Sequence, residues 1–571
     1  MRSHPLVNQH LITPLRALVK RLDTDTTNVP IFFVFDEIST LLVDKNDPTT
    51  YLALRRVTRL FSELPVWTFV LSTQSQLYHL TPAAAEDRSS RVSLRQLQLC
   101  EPFHAFPLDI EADRLLGEGK ARQMALPLAR FSEKEHVVTF GRPLWMAYKD
   151  ESCQNICQIV RDKLLFTSED YDPNKLDHLL AVLSSRISLD PCLQSERAVQ
   201  LEQTGVDSHL RLILGYNVKL GCFNSIWPSE PLVAAASASV LMDDNDRKDL
   251  WAKSIKRMAN KLFSPGLIDK GRTGELATRL LLVVAHDKLL KNAPVSTDFS
   301  SSRFQYSQHF SFVGFMHSLL KNSDQLLDSK ASVRKAKKTV RKIFGNGSMN
   351  FSFFTTTDQP LTESRDAMAE LLHNLMFTQA ALQLCSNQKT WDLLLPIYLG
   401  DPEDDFNSNL LTALMIQVKN RQRNQPYIIN KANHATFFPV GTPVITIILE
   451  LGVEQGGISP IGSFRDDVFG FKISGLGTEI YECLEKAMVK PLKSLLAVST
   501  AAIQDDVSSR NMRFRHHTWS DRFPSLNIHR KDIGADSELG ETTAGSSPKS
   551  DHKRKRTMTA GDRKKNQKAK V

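Results

Sequence analysis

An aspartate, a glutamine and a lysine on two apolar segments are the residues of this chain whose types and spacing best suit catalysis. Asp392 lies near the start of segment 391–399, and Gln417 and Lys419 end segment 411–419. Both segments have the length and composition of β-strands, in which residues two apart point to the same face. Gln417 and Lys419 are therefore expected to share a face, with both side chains directed at the same phosphate group. Carboxylate and amide oxygens bind hard cations, and an ammonium can orient water at a phosphate.

This set resembles the active site of the restriction-endonuclease-like family, also called PD-(D/E)xK. The resemblance implies that Asp392 and Gln417 coordinate Mg²⁺ and that Lys419 positions or deprotonates the attacking water. It also implies a metal ligand on an earlier helix. Glu275, in a predicted amphipathic helix that begins near Gly274, is the expected acid. At Gln417 an amide stands in place of the commoner carboxylate, and an amide binds a hard cation less strongly.

Two alternatives remain open for this site. Glu370, on the predicted helix immediately before the first strand, is a second candidate for the helix acid, because the interval between Glu275 and Asp392 requires a helical insertion. The pattern is also short, and any α/β protein contains similar residues at strand ends. Lys419 would then be an ordinary solvated side chain.

A second pair of acids follows an earlier apolar strand. Asp36 and Glu37 directly follow the apolar run 31–35, and Ser72 directly follows a second apolar run, 66–71. In nucleoside triphosphatases a Walker B strand places its carboxylate beside a water bound to Mg²⁺, and a following Glu polarises the attacking water. Fully apolar strands that alternate with helices predict a buried parallel sheet here.

The loop that would complete this nucleotide site is absent from the sequence. No G-x-x-x-x-G-K-[ST] stretch occurs, and only 30 residues precede the first strand. Without that loop and its lysine nothing cradles the β- and γ-phosphates. The segment is either the relic of a P-loop NTPase, with its N-terminal part lost or outside this chain, or an unrelated α/β layer. ATP binding and hydrolysis are not expected.

A wider family resemblance rests on five stretches taken in order: IFFVFDE, FGRPLW, WPSEP, DKGRTGEL and NQKTWDLLLPIY…IQVKN. They resemble a group of fungal multidomain proteins of transposon or effector ancestry. They are similar to Crinkler-type proteins, in which a P-loop NTPase module precedes a restriction-endonuclease-like module, over about residues 30–450. The resemblance implies a nuclease acting on DNA, with Asp36 and Glu37 in a degenerate nucleotide-binding half.

The elements that must position these residues follow from apolar periodicity. Strands are predicted at 381–386, 391–399, 411–419, 444–451 and 468–473, and the long polar loop GDPEDDFNSN allows 391–399 and 411–419 to form a hairpin. Helices are predicted over about 307–322, 330–344, 362–379 and 475–488. Residues 151–262 are predicted to be mainly helical, with Ser229 as the N-cap of a helix that has Pro231 in its first turn.

Together these elements predict a multidomain α/β protein. Four segments are expected: 1–150 as a degenerate P-loop NTPase-like domain with a parallel sheet, 151–265 as a helical connecting region, 266–490 as a restriction-endonuclease-like domain with a mixed sheet and a helical insertion, and 491–571 as a C-terminal segment that is largely a disordered basic tail. No apolar run of transmembrane length and no signal peptide is recognised, so a soluble, intracellular protein without a membrane partner is expected.

The net charge of +9 is concentrated at the C-terminus. Residues 548–571 hold ten Lys or Arg and two Asp, a net of +8, which leaves about +1 for the rest. Two clusters suit an importin groove or a nucleic-acid backbone: Lys553, Arg554, Lys555, Arg556, Arg563, Lys564 and Lys565. An unrecognised solvated tail is the alternative.

The sequence therefore predicts a nuclear, metal-dependent nuclease-like protein that acts on DNA phosphodiesters with Mg²⁺ as cofactor, or a decayed relative of one. Its expected partners are DNA and, through the tail, importin. The alternative is a non-enzymatic nuclear interaction protein built from inactive NTPase and nuclease modules.

Overall fold

The computed structural model describes residues 5–22, 31–41, 49–61, 64–72, 92, 94, 103, 107–116, 126–192, 195–217, 222–243, 249–268, 273–293, 302–330, 338–357, 360–361, 364–385, 388, 391–421, 427, 437–462, 465 and 467–497. All of them belong to one compact unit, Met1–Asn527. The predicted basic tail, with both of its clusters, lies outside the described residues. The described part is a mixed α/β structure with many helices and one large mixed sheet.

The N-terminal elements form a small layer of two parallel strands and two helices. In order they are Pro5–Val7, the π-helical turn Asn8–Ile12, α1 (Thr13–Leu22), β1 (Ile31–Phe35), Ile38–Leu41, α2 (Thr49–Thr58), Arg59–Phe61 and β2 (Val66–Val70). β1 and β2 pair in parallel, with Ile31 opposite Val66, as the sequence predicted.

The expectation that this small sheet is buried was wrong. Phe32 and Val34 of β1 are 59% and 58% exposed, and their register partners Trp67 and Phe69 of β2 are 57% and 45% exposed. Paired residues point to the same face, so these four side chains form one open apolar surface. The opposite face packs Ile31 and Phe33 against α1 and Phe61.

Helices dominate the middle of the chain, with one hairpin among them. The elements are α3 (Ile110–Leu116), Leu128–Ser132, Lys134–Val137, Pro143–Tyr148, α4 (Cys153–Leu165), α5 (Leu176–Ile187), α6 (Glu196–Ser208), β3 (Leu212–Asn217), β4 (Cys222–Ile226), α7 (Pro231–Leu241), α8 (Leu250–Arg257) and the π-helical Met258–Phe263. The antiparallel β3–β4 pair was not predicted. Ser229 is not the N-cap either: Glu230 holds that position without a capping bond from its side chain, and Pro231 opens the helix.

The helix that carries Glu275, α9 (Thr273–Lys291), is buried along almost its whole length. The prediction of an amphipathic helix was therefore wrong. Its Leu276, Leu280 and Val283 pack in one cluster with helices α4, α5 and α7 and with the sheet, so apolar contacts surround it. The helix also buries polar side chains, among them Arg279, His286 and Asp287.

The remaining elements build the large sheet and its cover. They are Gln305–Ser307, β5 (Phe310–Ser311), α10 (Phe312–Leu319), Asp324–Leu327, Val340–Phe344, β6 (Ser348–Met349), β7 (Phe353–Thr356), α11 (Arg365–Phe377), β8 (Ala380–Gln383), β9 (Leu393–Tyr398), Ser408–Leu410, β10 (Leu411–Lys419), β11 (Val444–Glu450), β12 (Gly457–Ile461), β13 (Val468–Ser474) and α12 (Lys486–Leu496). The helix predicted over 475–488 was wrong, because the only helix there begins at Lys486.

Nine strands form the large sheet. Its path runs β12-β13-β11-β10-β9-β6-β5, and β8 joins β9 to β7. β10, β11 and β13 are mutually parallel, whereas β9 is antiparallel to β10 and β8 is antiparallel to β9.

The two faces of the sheet belong to different cores. Leu414, Ile416 and Val418 of β10 pack in the cluster that contains α9. Ala413 and Met415 pack in the cluster that contains α11. Since side chains alternate along a strand, Gln417 and Lys419 project from the α11 face.

Candidate active site on the central sheet

The Asp392 carboxylate reaches the backbone of β10 between Gln417 and Lys419. β9 and β10 form the predicted hairpin, and the last paired residues at this end are Leu393 and Ile416. Asp392 lies in the bend before β9. Its amide donates to the Ile416 carbonyl at 2.9 Å, and the Val418 amide donates to Asp392 Oδ2 at 2.6 Å. Gln417 and Lys419 project from one face of the sheet, on either side of the backbone amide that Asp392 binds.

Gln417 presents a buried oxygen that has no partner in the part of the chain that the structure describes. Its side chain is 8% exposed, and Oε1 accepts no hydrogen bond from the described residues. Leaving such a group unsatisfied costs about 1–3 kcal/mol, and buried polar groups are normally paired. Hard cations take amide and carboxylate oxygens as ligands. A buried amide oxygen without a partner among the described residues, next to the strand position that Asp392 contacts, therefore fits a divalent cation such as Mg²⁺.

The neighbouring strand adds an acid that sequence reasoning missed. Lys419 pairs in register with Glu450 of β11, and Glu450 pairs with Ser474 of β13. The side chains of Lys419, Glu450 and Ser474 therefore project from the α11 face, at the strand position two residues after Gln417. Glu450 is fully buried. Its position near the end of the predicted strand 444–451 was the available signal, but only the strand pairing shows that it adjoins Lys419.

Tyr427 lies within electrostatic range of Asp392, and Arg421 lies close to Glu450. The pKa of Tyr427 is raised, first by burial and then by the negative charge of Asp392, while the charge of Arg421 acts in the opposite direction. Arg421 Nε lies 3.5 Å from Glu450 Oε1. The candidate site thus combines two carboxylates, an amide, a phenol and two basic side chains. Among the described residues, no group of three or more His, Cys, Asp and Glu side chains is placed to share a metal ion.

The two candidate helix acids occupy different places. Gly274, beside Glu275, packs so tightly on β10 that an added Cβ would lie 2.9 Å from Val418 Cγ1. Val418 points away from Gln417, so the start of α9 lies behind the sheet face that carries Asp392. Glu370 is exposed on α11, the helix that covers that face.

Asp36 and Glu37 follow β1 at its carboxyl end, and both are exposed. The Glu37 amide donates to Asp36 Oδ1 at 2.9 Å, and Glu37 has a φ of +49°. The Ile38 amide bonds to the Leu71 carbonyl, which ties this turn to the end of β2. The acids therefore lie at the sheet edge where the sequence placed them.

The stretches FGRPLW and WPSEP meet in a buried ion pair. Arg142 donates to Glu230 through Nε at 3.0 Å and Nη2 at 2.8 Å, and Trp145 Nε1 donates to Glu230 Oε2 at 2.5 Å. The Glu230 side chain is fully buried. This pair joins the turn before Pro143 to the start of α7, so the two stretches have a structural role.

No described helix combines the length and hydropathy required to cross a bilayer. Five cysteines whose side chains the structure describes are free thiols: Cys153, Cys157, Cys192, Cys385 and Cys483. Searches against protein-family models, curated proteins and solved structures found no match to this chain.

Proposed function

We propose that this chain is a metal-dependent nuclease-like protein that acts on DNA phosphodiesters through a restriction-endonuclease-like site. The observation that carries the proposal is the 2.6 Å contact of the Asp392 carboxylate with the Val418 amide, between Gln417 and Lys419, which share one face of β10. The unpaired Gln417 oxygen supports it, because a bound cation would satisfy that atom. The resemblance to Crinkler-type proteins supports the same reaction class.

In this reaction Asp392 and Gln417 would hold Mg²⁺ through their oxygens. The bound ion would supply a more acidic water and a positive charge beside the phosphate oxygens. Lys419 directs its ammonium at the same phosphate and orients the attacking water. Water adds to the phosphorus, the bond to the leaving oxygen breaks, and that oxygen takes up a proton, which leaves a phosphomonoester and a hydroxyl.

A plasmid cleavage assay with Mg²⁺ or Mn²⁺ tests this proposal. Lys419→Ala should lower the cleavage rate by about 10²–10⁴-fold, the range for loss of a group that acts on a transferred proton. Asp392→Asn should also lower the rate, because it removes a charged ligand of the cation. Lys253→Ala, at an exposed lysine on α8, is the matched control and should cleave like the wild type. Equal rates for Lys419→Ala and the wild type would reject the role of Lys419.

The proposal extends to the other segments of the chain. β1 and β2 with Asp36 and Glu37 are proposed as the remnant of a P-loop NTPase that no longer hydrolyses ATP. The basic tail is proposed to bind DNA and importin and to direct the protein to the nucleus. Each of these roles rests on sequence motifs.

One observation favours the alternative of a non-enzymatic interaction protein. Phe32, Val34, Trp67 and Phe69 form an exposed apolar surface on β1 and β2. Parallel sheets are normally covered on both faces, and exposed apolar patches mark interaction sites. If neither the wild type nor any site variant cleaves DNA with either cation, this alternative is favoured.

A further inference from the structure

We infer that Glu450 is the second carboxylate ligand of the proposed cation site and provides the negative charge that Gln417 lacks. This inference rests on the proposed function, which assigns a divalent cation to Asp392 and Gln417. It adds a ligand from β11, a strand outside the hairpin that carries the sequence motif.

The strand register brings Glu450 within reach of the other ligands. Gln417 pairs with Ile448, and Lys419 pairs with Glu450. With strands about 4.8 Å apart and a rise of about 3.3 Å per residue, the Cα atoms of Gln417 and Glu450 are separated by roughly 8 Å. Both side chains are long and project from the same face, so their oxygens can converge on one ion.

Glu450 is a buried charge with incomplete compensation. Its side chain has no exposed surface. Ser474 Oγ donates to Oε2 at 3.3 Å, but Oε1 accepts no hydrogen bond from the described residues. The ion pair from Arg421 Nε to Oε1 is long, at 3.5 Å. Arg421 therefore offsets the charge of Glu450 without donating a hydrogen bond to Oε1, and a buried carboxylate oxygen left in this state is costly unless a further partner binds it.

Two unsatisfied buried oxygens therefore lie on one face of adjacent strands, Gln417 Oε1 and Glu450 Oε1. Both are of the types that divalent cations bind. A cation held by Asp392, Gln417 and Glu450 would satisfy both atoms and receive two negative charges. This arrangement explains how an amide can occupy position 417 in a working site.

The test measures binding of Mn²⁺ alone to the full chain by isothermal titration calorimetry. Glu450→Gln keeps the size of the side chain and removes its charge, and should raise the Kd for Mn²⁺ at least tenfold. Asp392→Asn should do the same. Glu454→Gln, an exposed acid beyond the end of β11, is the control and should leave the Kd unchanged.

A second variant distinguishes two roles of Glu450: a ligand of the cation, or a residue that only positions Lys419 or Arg421. Gln417→Glu restores a carboxylate at the neighbouring position, and it should tighten Mn²⁺ binding and recover most of the loss caused by Glu450→Gln. A positioning role predicts no such recovery, because the two changes would then be independent. If Glu450→Gln does not fold, Glu450→Asp replaces it, and its retracted carboxylate should likewise weaken Mn²⁺ binding.

The outcomes distinguish this inference from the proposed function. If Asp392→Asn loses Mn²⁺ binding while Glu450→Gln and Glu450→Asp bind like the wild type, the inference is wrong and the nuclease proposal stands. If the wild type binds no Mn²⁺, both are wrong.

Discussion

Asp287 lies at the centre of a buried polar network. Arg186 donates to its two oxygens at 2.6 Å and 3.0 Å, Trp251 Nε1 donates at 3.2 Å, and His286 Nδ1 lies 2.7 Å away. Burial acts to raise the pKa of Asp287, but the charge of Arg186 and the bond to His286 outweigh it and lower the pKa. The network joins α5, α8 and α9, so His286 has a structural role here.

Removing this carboxylate should be strongly destabilising. Asp287→Asn leaves the fully buried Arg186 guanidinium without a counter-charge, which typically costs about 3–5 kcal/mol. Urea denaturation followed by circular dichroism measures the loss. Glu169→Gln is the control, because its 3.4 Å pair with Lys175 is exposed and should contribute nothing measurable. Equal stability of the two variants would contradict this account.

At the scale of elements, the turn between Val137 and Pro143 depends on a glycine. Gly141 has a φ of +86°, and its amide donates to Asp109 Oδ1 at 2.7 Å. A Cβ at this position would collide with the carboxylate of Glu230, which binds Arg142 and Trp145. The close approach of that carboxylate to the backbone is what requires glycine.

Gly141→Ala should therefore lower the free energy of unfolding by about 2–4 kcal/mol, from backbone strain and displacement of Glu230 together. Thermal and urea denaturation measure the change. Gly462→Ala has no atom within 4 Å of its added Cβ and should change stability by less than about 0.5 kcal/mol. A Gly141→Ala protein as stable as the wild type would show that Glu230 can move freely.

At the scale of the whole molecule, most of the net charge lies in the last 24 residues of the sequence. Deleting residues 548–571 removes a net +8. Fluorescence anisotropy with a DNA duplex should then show weaker binding and a smaller slope of log K against log salt between about 50 and 200 mM. Cleavage at saturating DNA should be retained, since the candidate site lies on the sheet. An unchanged salt slope would show that another surface contacts the phosphates.

Much of the local structure was predictable from the sequence. β9, β10 and β11 are long apolar runs, and their predicted bounds differ from the observed ones by two residues or fewer. The polar connection between β9 and β10 predicted a hairpin, and the spacing of Gln417 and Lys419 placed both on one face. These features depend on residues near in sequence, whose periodicity and turn composition act locally.

Other features depend on contacts between distant residues. Glu450 adjoins Lys419 only because β10 pairs in parallel with β11, and Arg142 meets Glu230 across a wide interval of sequence. α9 is enclosed because helices and the sheet pack around it, although its own sequence suggested one polar side. Strand order and burial arise from the collective packing of the apolar surfaces, which local composition does not encode, so only the tertiary structure brings the second carboxylate beside the predicted lysine.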